Sequence, residues 1–186
     1  MNLKHFSTIK NLIFLIFLGI PIAYYYACIS SFSPFDPSYF SIQIPPAPAR
    51  NFGGLWGASL SAYLVYYCGI SMFIIPLPVL FCILNIRFSR IYIRSIITNL
   101  LACILTVFSL IVCTEIIFST WYFKGVLIAP AGFTGEYFDK LSKPYLGWVG
   151  QILFLIFISI LSLYLWMQER FALGQILKTL RMNPRG

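Results

Sequence analysis

From Arg50 to Arg87 the chain carries no charged residue. Drawn as a helix, residues 52–86 extend about 50 Å, whereas the hydrocarbon core of a bilayer is roughly 30 Å thick. Three further apolar stretches accompany this one, at residues 11–32, 95–118 and 146–167. Each supplies the roughly 20 residues that a membrane-spanning helix requires. Only 10% of the chain is charged, against about a quarter in a soluble domain, so too few polar side chains exist to coat a globule. The expectation is an all-α integral membrane protein with four transmembrane helices, near 11–32, 63–86, 95–118 and 146–167. Residues 1–186 then form a single membrane domain. Short interfacial helices are expected in the loops and at the C-terminus, with residues 168–186 as a cytoplasmic juxtamembrane tail.

The second stretch is longer than one crossing needs, so its first part is expected outside the core or along the interface, with Pro76 and Pro78 able to kink the rest. Pro21 could kink the first helix in the same way. The surplus begins NFGGLWGASLS. Gly53, Gly57 and Ser61 recur every four residues, as do Gly54, Ala58 and Ala62. On a helix that spacing makes a face of small side chains against which another backbone can lie closely. Packing within the bundle and contact between subunits both remain open at this point.

Charge sets the expected orientation. Lys4, Lys10, Arg87, Arg90, Arg94, Arg170, Lys178, Arg181 and Arg185 fall on one side of a four-span topology, and Arg50, Lys124, Lys140 and Lys143 on the other. Nine basic residues against four place both termini in the cytoplasm. The net charge of +8 then serves topology and anionic lipid. No basic stripe interleaved with aromatics suggests nucleic acid. Lys4 and Lys10 before an apolar core resemble a signal peptide, but no cleavage site follows, and the first helix is expected to be retained. Cys28, Cys68, Cys82, Cys103 and Cys113 lie in apolar stretches without C-x-x-C spacing, and His5 is the only histidine. No metal or cofactor is expected.

The connections carry their own signals. Residues 33–51 contain Pro34, Pro37, Pro45, Pro46 and Pro48, which rules out a long helix. In the third connection, FTGEYFDKLSK reads as a short amphipathic helix capped by Thr134, with Tyr137, Phe138 and Leu141 facing the membrane and Glu136, Asp139, Lys140 and Lys143 facing away. Glu115 is the one ionisable group inside an expected span, about a turn from its outer end. The tail places Leu173, Ile176, Leu177 and Leu180 on one helical stripe, suited to the membrane surface.

The order of features is more specific than any single one. SFSPFDPSYF and then RNFGGLWGASLSAYLVYYCGISMFIIPLPVLF closely resemble the N-terminal membrane region of FtsK-type bacterial DNA translocases. That family shows a Ser-Tyr-Ser-x-x-Asp-Pro-Ser-aromatic segment after its first helix. An Asn-x-Gly-Gly-x-x-Gly-Ala run follows, then an apolar helix with a central Gly and a late Pro. The matching positions are Asp36, Pro37, Ser38 and Tyr39, then Asn51, Gly53, Gly54, Gly57 and Ala58, then Gly69 and Pro76. PYLGWVG, with Gly147 and Gly150, is similar to the family's approach to its fourth helix. Ser61-Ala62 stands where the family often has Ala-Asp, so a role for that acid is not carried over. The family's hexameric motor is not carried over either, because no G-x-x-x-x-G-K-[ST] occurs here.

The resemblance implies a membrane anchor or scaffold in the bacterial inner membrane, at the septum, serving cell division and chromosome partition without catalysis of its own. Implied partners are the lipid bilayer, further copies of the chain in a homo-oligomer, and divisome membrane proteins or a separately encoded translocase motor. Direct nucleic-acid binding is not expected. The alternative is a small transporter or channel subunit, for which the sequence offers Glu115, Asn99 and scattered hydroxyls. An intramembrane enzyme would need His/Asp or Ser/His sets that the sequence lacks.

Overall fold

The computed structural model describes residues 3–41, 48–88, 93–118, 120–123 and 126–182. Arg90, Lys124 and Arg185, counted above for orientation, lie outside that set, as do Pro45 and Pro46. So do the tail side chains of Leu173, Ile176, Leu177 and Leu180. The elements are α1 (Leu3–Ser30), α2 (Gly54–Cys68), a 3-10 turn (Gly69–Phe73), α3 (Pro76–Phe88), α4 (Ile93–Ile117), strands β1 (Trp121–Phe123) and β2 (Val126–Ile128), and α5 (Gly132–Met182). Within α1, α4 and α5, residues 13–30, 95–117 and 132–168 are long and apolar enough to cross a membrane. The chain is mainly helical, as its hydropathy demands. The β1–β2 pair is the departure from helix among the described residues.

The second apolar stretch is not one rod. It runs helical to Phe73, breaks, and resumes at Pro76 bent by 79°. Two residues account for the break. Gly69 takes a left-handed backbone, φ +56, which side chains disfavour. Pro76 has no N–H to give to a preceding turn, so it suits the first position of a new helix. The expected single span over 63–86 is therefore a bent pair. Pro21, by contrast, lies within a continuous α1.

The chain forms two compact units, residues 1–66 with 122–128, and residues 67–121 with 129–186. In the first, α1 leads into the 31–41 loop and α2. Phe40 folds back to stack on Tyr66, centroids 4.6 Å apart. In the second, α4 and α5 make the most extensive helix pairing. Hydroxyls join them across the seam: Thr106 Oγ1 to Ser162 Oγ at 2.6 Å and Ser109 Oγ to Ser159 Oγ at 2.7 Å. Such pairs let small polar side chains lie between apolar helices without stranding a donor. α3 packs on α4 as well, where Cys82 Sγ approaches the Asn99 carbonyl at 3.6 Å.

α5 is broken as well. Gly147 (φ 62, ψ −179) interrupts it in a region of backbone space essentially reserved for glycine. The arm before it, 132–146, is the amphipathic segment. It starts at Gly132, three residues earlier than a Thr134 cap requires, so Thr134 lies inside the first turn. Its buried positions are Ala131, Gly132, Gly135 and Ser142, while Tyr137 and Leu141 are exposed. The exposure of Tyr137 and Leu141 is compatible with a membrane-facing stripe, and Phe138 departs from it. Phe138 alone of the three packs inward, with rings of Phe108 and Phe154 at 5.4 and 5.5 Å. The facing helices leave room for small residues on the arm beside Ile111 and Glu115, and a stripe of large ones would not fit.

Candidate functional site

The residues singled out in the first half of the sequence meet at one junction. The loop after α1 turns at Ser33–Asp36, where the Asp36 amide bonds the Ser33 carbonyl at 3.1 Å. Beyond Pro37, Ser38 and Ser41 exchange backbone hydrogen bonds of 3.0 and 3.3 Å, which closes a tight loop tip and leaves Tyr39 projecting, 85% exposed. Asp36 is only 4% exposed. Its Oδ1 accepts the Arg50 amide at 3.1 Å, pinning the far end of the proline-rich connection to its beginning. Its Oδ2 is buried and has no hydrogen-bond partner among the described residues.

Asn51 is the hub. Its Oδ1 accepts the Gly53 amide at 2.9 Å, the local turn that asparagine makes well. Its Nδ2 donates to the Cys28 carbonyl at 2.8 Å and to Ser61 Oγ at 3.3 Å. Cys28 lies in the last turn of α1, where carbonyls lose their helical partners. One buried amide therefore caps α1, shapes the turn into α2 and touches α2 two turns on. The neighbouring Phe52 amide reaches the Ser31 hydroxyl at 2.9 Å, and Tyr24 donates to the Gly53 carbonyl at 3.3 Å.

The small residues now have a reason. A methyl group on Gly57 would collide with Asn51 Oδ1 and stand 2.9 Å from Cys28 Sγ, and one on Gly53 would sit 2.6 Å from that sulfur. Gly57, Ala58, Ser61 and Ala62 are all buried, and Gly57 and Ser61 meet Asn51 of the same unit. Of the two alternatives left open above, the face is used internally. Gly54 (φ 61) has open space around it, so it serves the turn rather than the packing.

A second close approach occurs at Gly69, in the other unit. Any side chain there would strike the Pro130 carbonyl oxygen, and the Ile70 amide donates to that same oxygen at 2.7 Å. A break inside an apolar stretch frees backbone groups that lipid cannot satisfy. Here the segment before α5 supplies the missing acceptor. The adjoining Ala131 is fully buried, and its amide hydrogen-bonds the half-buried Glu115. Glu115 Oε2 is buried and has no hydrogen-bond partner among the described residues.

Gln151 was not singled out from the sequence, yet it organises the start of the last span. It is 2% exposed, and its Nε2 donates to Asp139 Oδ1 and to Ser142 Oγ, each at 2.9 Å. The Gly147 break turns the arm back so that these groups meet. Gly150 fits closely against Leu146, whose Cβ lies 2.9 Å from where a side chain would begin. An isolated polar residue near the start of an expected span was the available signal. On the outside of the arm, Lys140 and Lys143 pair with Glu136 and Asp139 one turn earlier, at 2.6 and 3.3 Å.

Among the described residues no group of three or more His, Cys, Asp and Glu side chains could hold a metal ion. The arrangement is that of a packed anchor: two junctions, each built by a polar side chain or carbonyl meeting glycine. Residues 7–180 match the family described as the 4TM region of DNA translocase FtsK/SpoIIIE. No curated protein and no solved structure matches the chain. With its apolar helices, the match makes this a multi-pass inner-membrane protein. Nearly the whole chain is covered, and it belongs to the family of FtsK/SpoIIIE 4TM regions, the membrane-anchor part of such translocases.

Proposed function

We propose that this chain is the membrane anchor and scaffold for a DNA-translocation or septum-building apparatus at the division site, with both termini in the cytoplasm. The family match over residues 7–180 carries the reading. The anchor does no chemistry itself: its sequence has no phosphate-binding loop, so nucleotide-driven pumping belongs to residues outside these 186. Its work is mechanical. Spanning helices fix position, and exposed aromatics such as Tyr39, Phe52 and Trp56 offer contacts to divisome membrane proteins at the outer interface. Self-association uses surfaces other than the Gly57–Ser61 face, which is already occupied. A fluorescent fusion of the full chain is expected to gather at midcell in dividing cells. Uniform membrane fluorescence through the division cycle sinks the reading.

Glu115 supports a second, transporter-like reading, because a buried carboxylate oxygen without a partner is what an ion or proton path uses. Flux into reconstituted vesicles that disappears in Glu115→Gln supports it. Absence of flux from the parent protein removes it.

A further inference from the structure

A groove of 740 Å³ opens among α3, α4 and α5, all within the second unit. Ile74, at the bend before α3, lies at one end, and Phe81 and Trp166 meet edge-to-face at the other, centroids 4.7 Å apart. Leu110, Leu163 and Met167 form much of its wall. We propose that this groove holds one acyl chain of an anionic phospholipid, with the headgroup phosphate at the level of Arg87, Arg94 and Arg170.

The groove's polar groups argue for an alkyl occupant. Thr106 donates to the Ala102 carbonyl at 2.7 Å, and Ser159 to the Leu155 carbonyl at 2.8 Å. Ser109 then gives its proton to Ser159, and Ser162 gives its own to Thr106 or to the Ala102 carbonyl. The Trp166 indole N–H is spent on Thr106 Oγ1 at 3.0 Å. No donor in the floor is left for a polar solute, and a polar ligand would lose its hydration without replacement. Hydrocarbon loses nothing there.

An extended alkyl chain is far thinner than a helix, which is about 10–12 Å across, and suits a narrow apolar groove.

Charge then selects the lipid. Cys82 lies against Asn99 and Phe81 against Trp166, so α3, α4 and α5 share one level there. Arg87 and Arg94 follow five positions further toward the same end, about 7–8 Å, and the Thr106–Ser162 and Ser109–Ser159 pairs place Arg170 about one turn short of them, within the length of an arginine side chain. From Arg170 to Ser159 is about 16 Å, half of the roughly 30 Å core. Three arginine positions at headgroup level above an alkyl-sized groove match an anionic lipid of that leaflet.

The test uses the full chain with Trp56, Trp121 and Trp148 changed to Phe, leaving Trp166 as the reporter, in vesicles of brominated phosphatidylglycerol or brominated phosphatidylcholine. Trp166 fluorescence is expected to be quenched preferentially by the anionic lipid. Each of Arg87→Gln, Arg94→Gln and Arg170→Gln should lower that preference about fivefold. Filling the groove with Leu110→Phe and Leu163→Phe should protect Trp166 from both lipids. The arginine variants lie outside the groove, so they decide the matter if the filled variant does not fold. Equal quenching by the two lipids, unaffected by the arginine changes, overturns the proposal. So does protection of Trp166 that grows with the protein-to-lipid ratio, which would place a second copy in the groove.

Discussion

Asn51 does three jobs with one amide, and no other side chain combines them. Alanine there would strand the Gly53 amide and leave the Cys28 carbonyl only the longer 3.3 Å bond from the Ser31 hydroxyl. Each buried unsatisfied group costs about 1–3 kcal/mol, so Asn51→Ala is expected to lower the melting temperature in mild detergent clearly. Asn51→Asp should not rescue it, because a carboxylate can accept from Gly53 but has no proton for Cys28 or Ser61. A melting temperature unchanged in both would remove Asn51 as the hub. Gly57→Leu should also destabilise, by about 1–3 kcal/mol or more, since the space is filled by Asn51 and Cys28; a merely intersubunit face would instead change oligomer size and leave the melt alone. At this scale the sequence was legible only in outline. The spacing of Gly53, Gly57 and Ser61 announced a close approach. It could not say what approached, because Cys28 and Asn51 are far apart along the chain and hydropathy is blind to which carbonyl an amide will find.

Elements were easier to read than their ends. Hydropathy located α1, α4 and the last span because lipid imposes a minimum length on any helix that crosses it. The same length argument showed that residues 52–86 were too many for one crossing. The prolines marked one side of the break, since the second helix starts at Pro76, but nothing local showed that the 3-10 turn must open on Gly69 because the Pro130 carbonyl occupies the space a side chain would need. That contact lies across sixty residues of sequence and leaves no local trace. Gly69→Ala is expected to cost about 2–5 kcal/mol, adding left-handed strain to the collision. Gly147→Ala, with open space around it, should cost only the strain, about 1–3 kcal/mol. Thermal melts of the two variants that came out in the reverse order would contradict this account of the breaks. The amphipathic arm was legible in its period but not in every partner. A helical wheel put Tyr137, Phe138 and Leu141 on one face toward the membrane; Tyr137 and Leu141 stay on the outside, whereas Phe138 turns in to the rings of Phe108 and Phe154.

For the molecule as a whole, the charge distribution makes the plainest prediction. Green fluorescent protein fused after Gly186 should fluoresce, as expected for a cytoplasmic C-terminus, while alkaline phosphatase fused after Phe40 should be active outside. The reverse pattern would contradict the nine-to-four division of basic residues and, with it, the side on which any motor could be attached. Removing Glu115 should not alter this topology, since the acid is held by the Ala131 amide rather than by a charge across the bilayer.

The bond from Ile70 to Pro130 also sets an order of assembly. A ribosome adding roughly 5–20 residues per second needs about 3–12 seconds to travel from one residue to the other. For that interval the amide at the broken stretch exists and its acceptor does not. Until then it must find another partner, such as water or the carbonyl four residues back in a helix not yet broken. The Ile70–Pro130 bond can therefore close only after α4 has been made and the segment ahead of α5 has come back to Gly69.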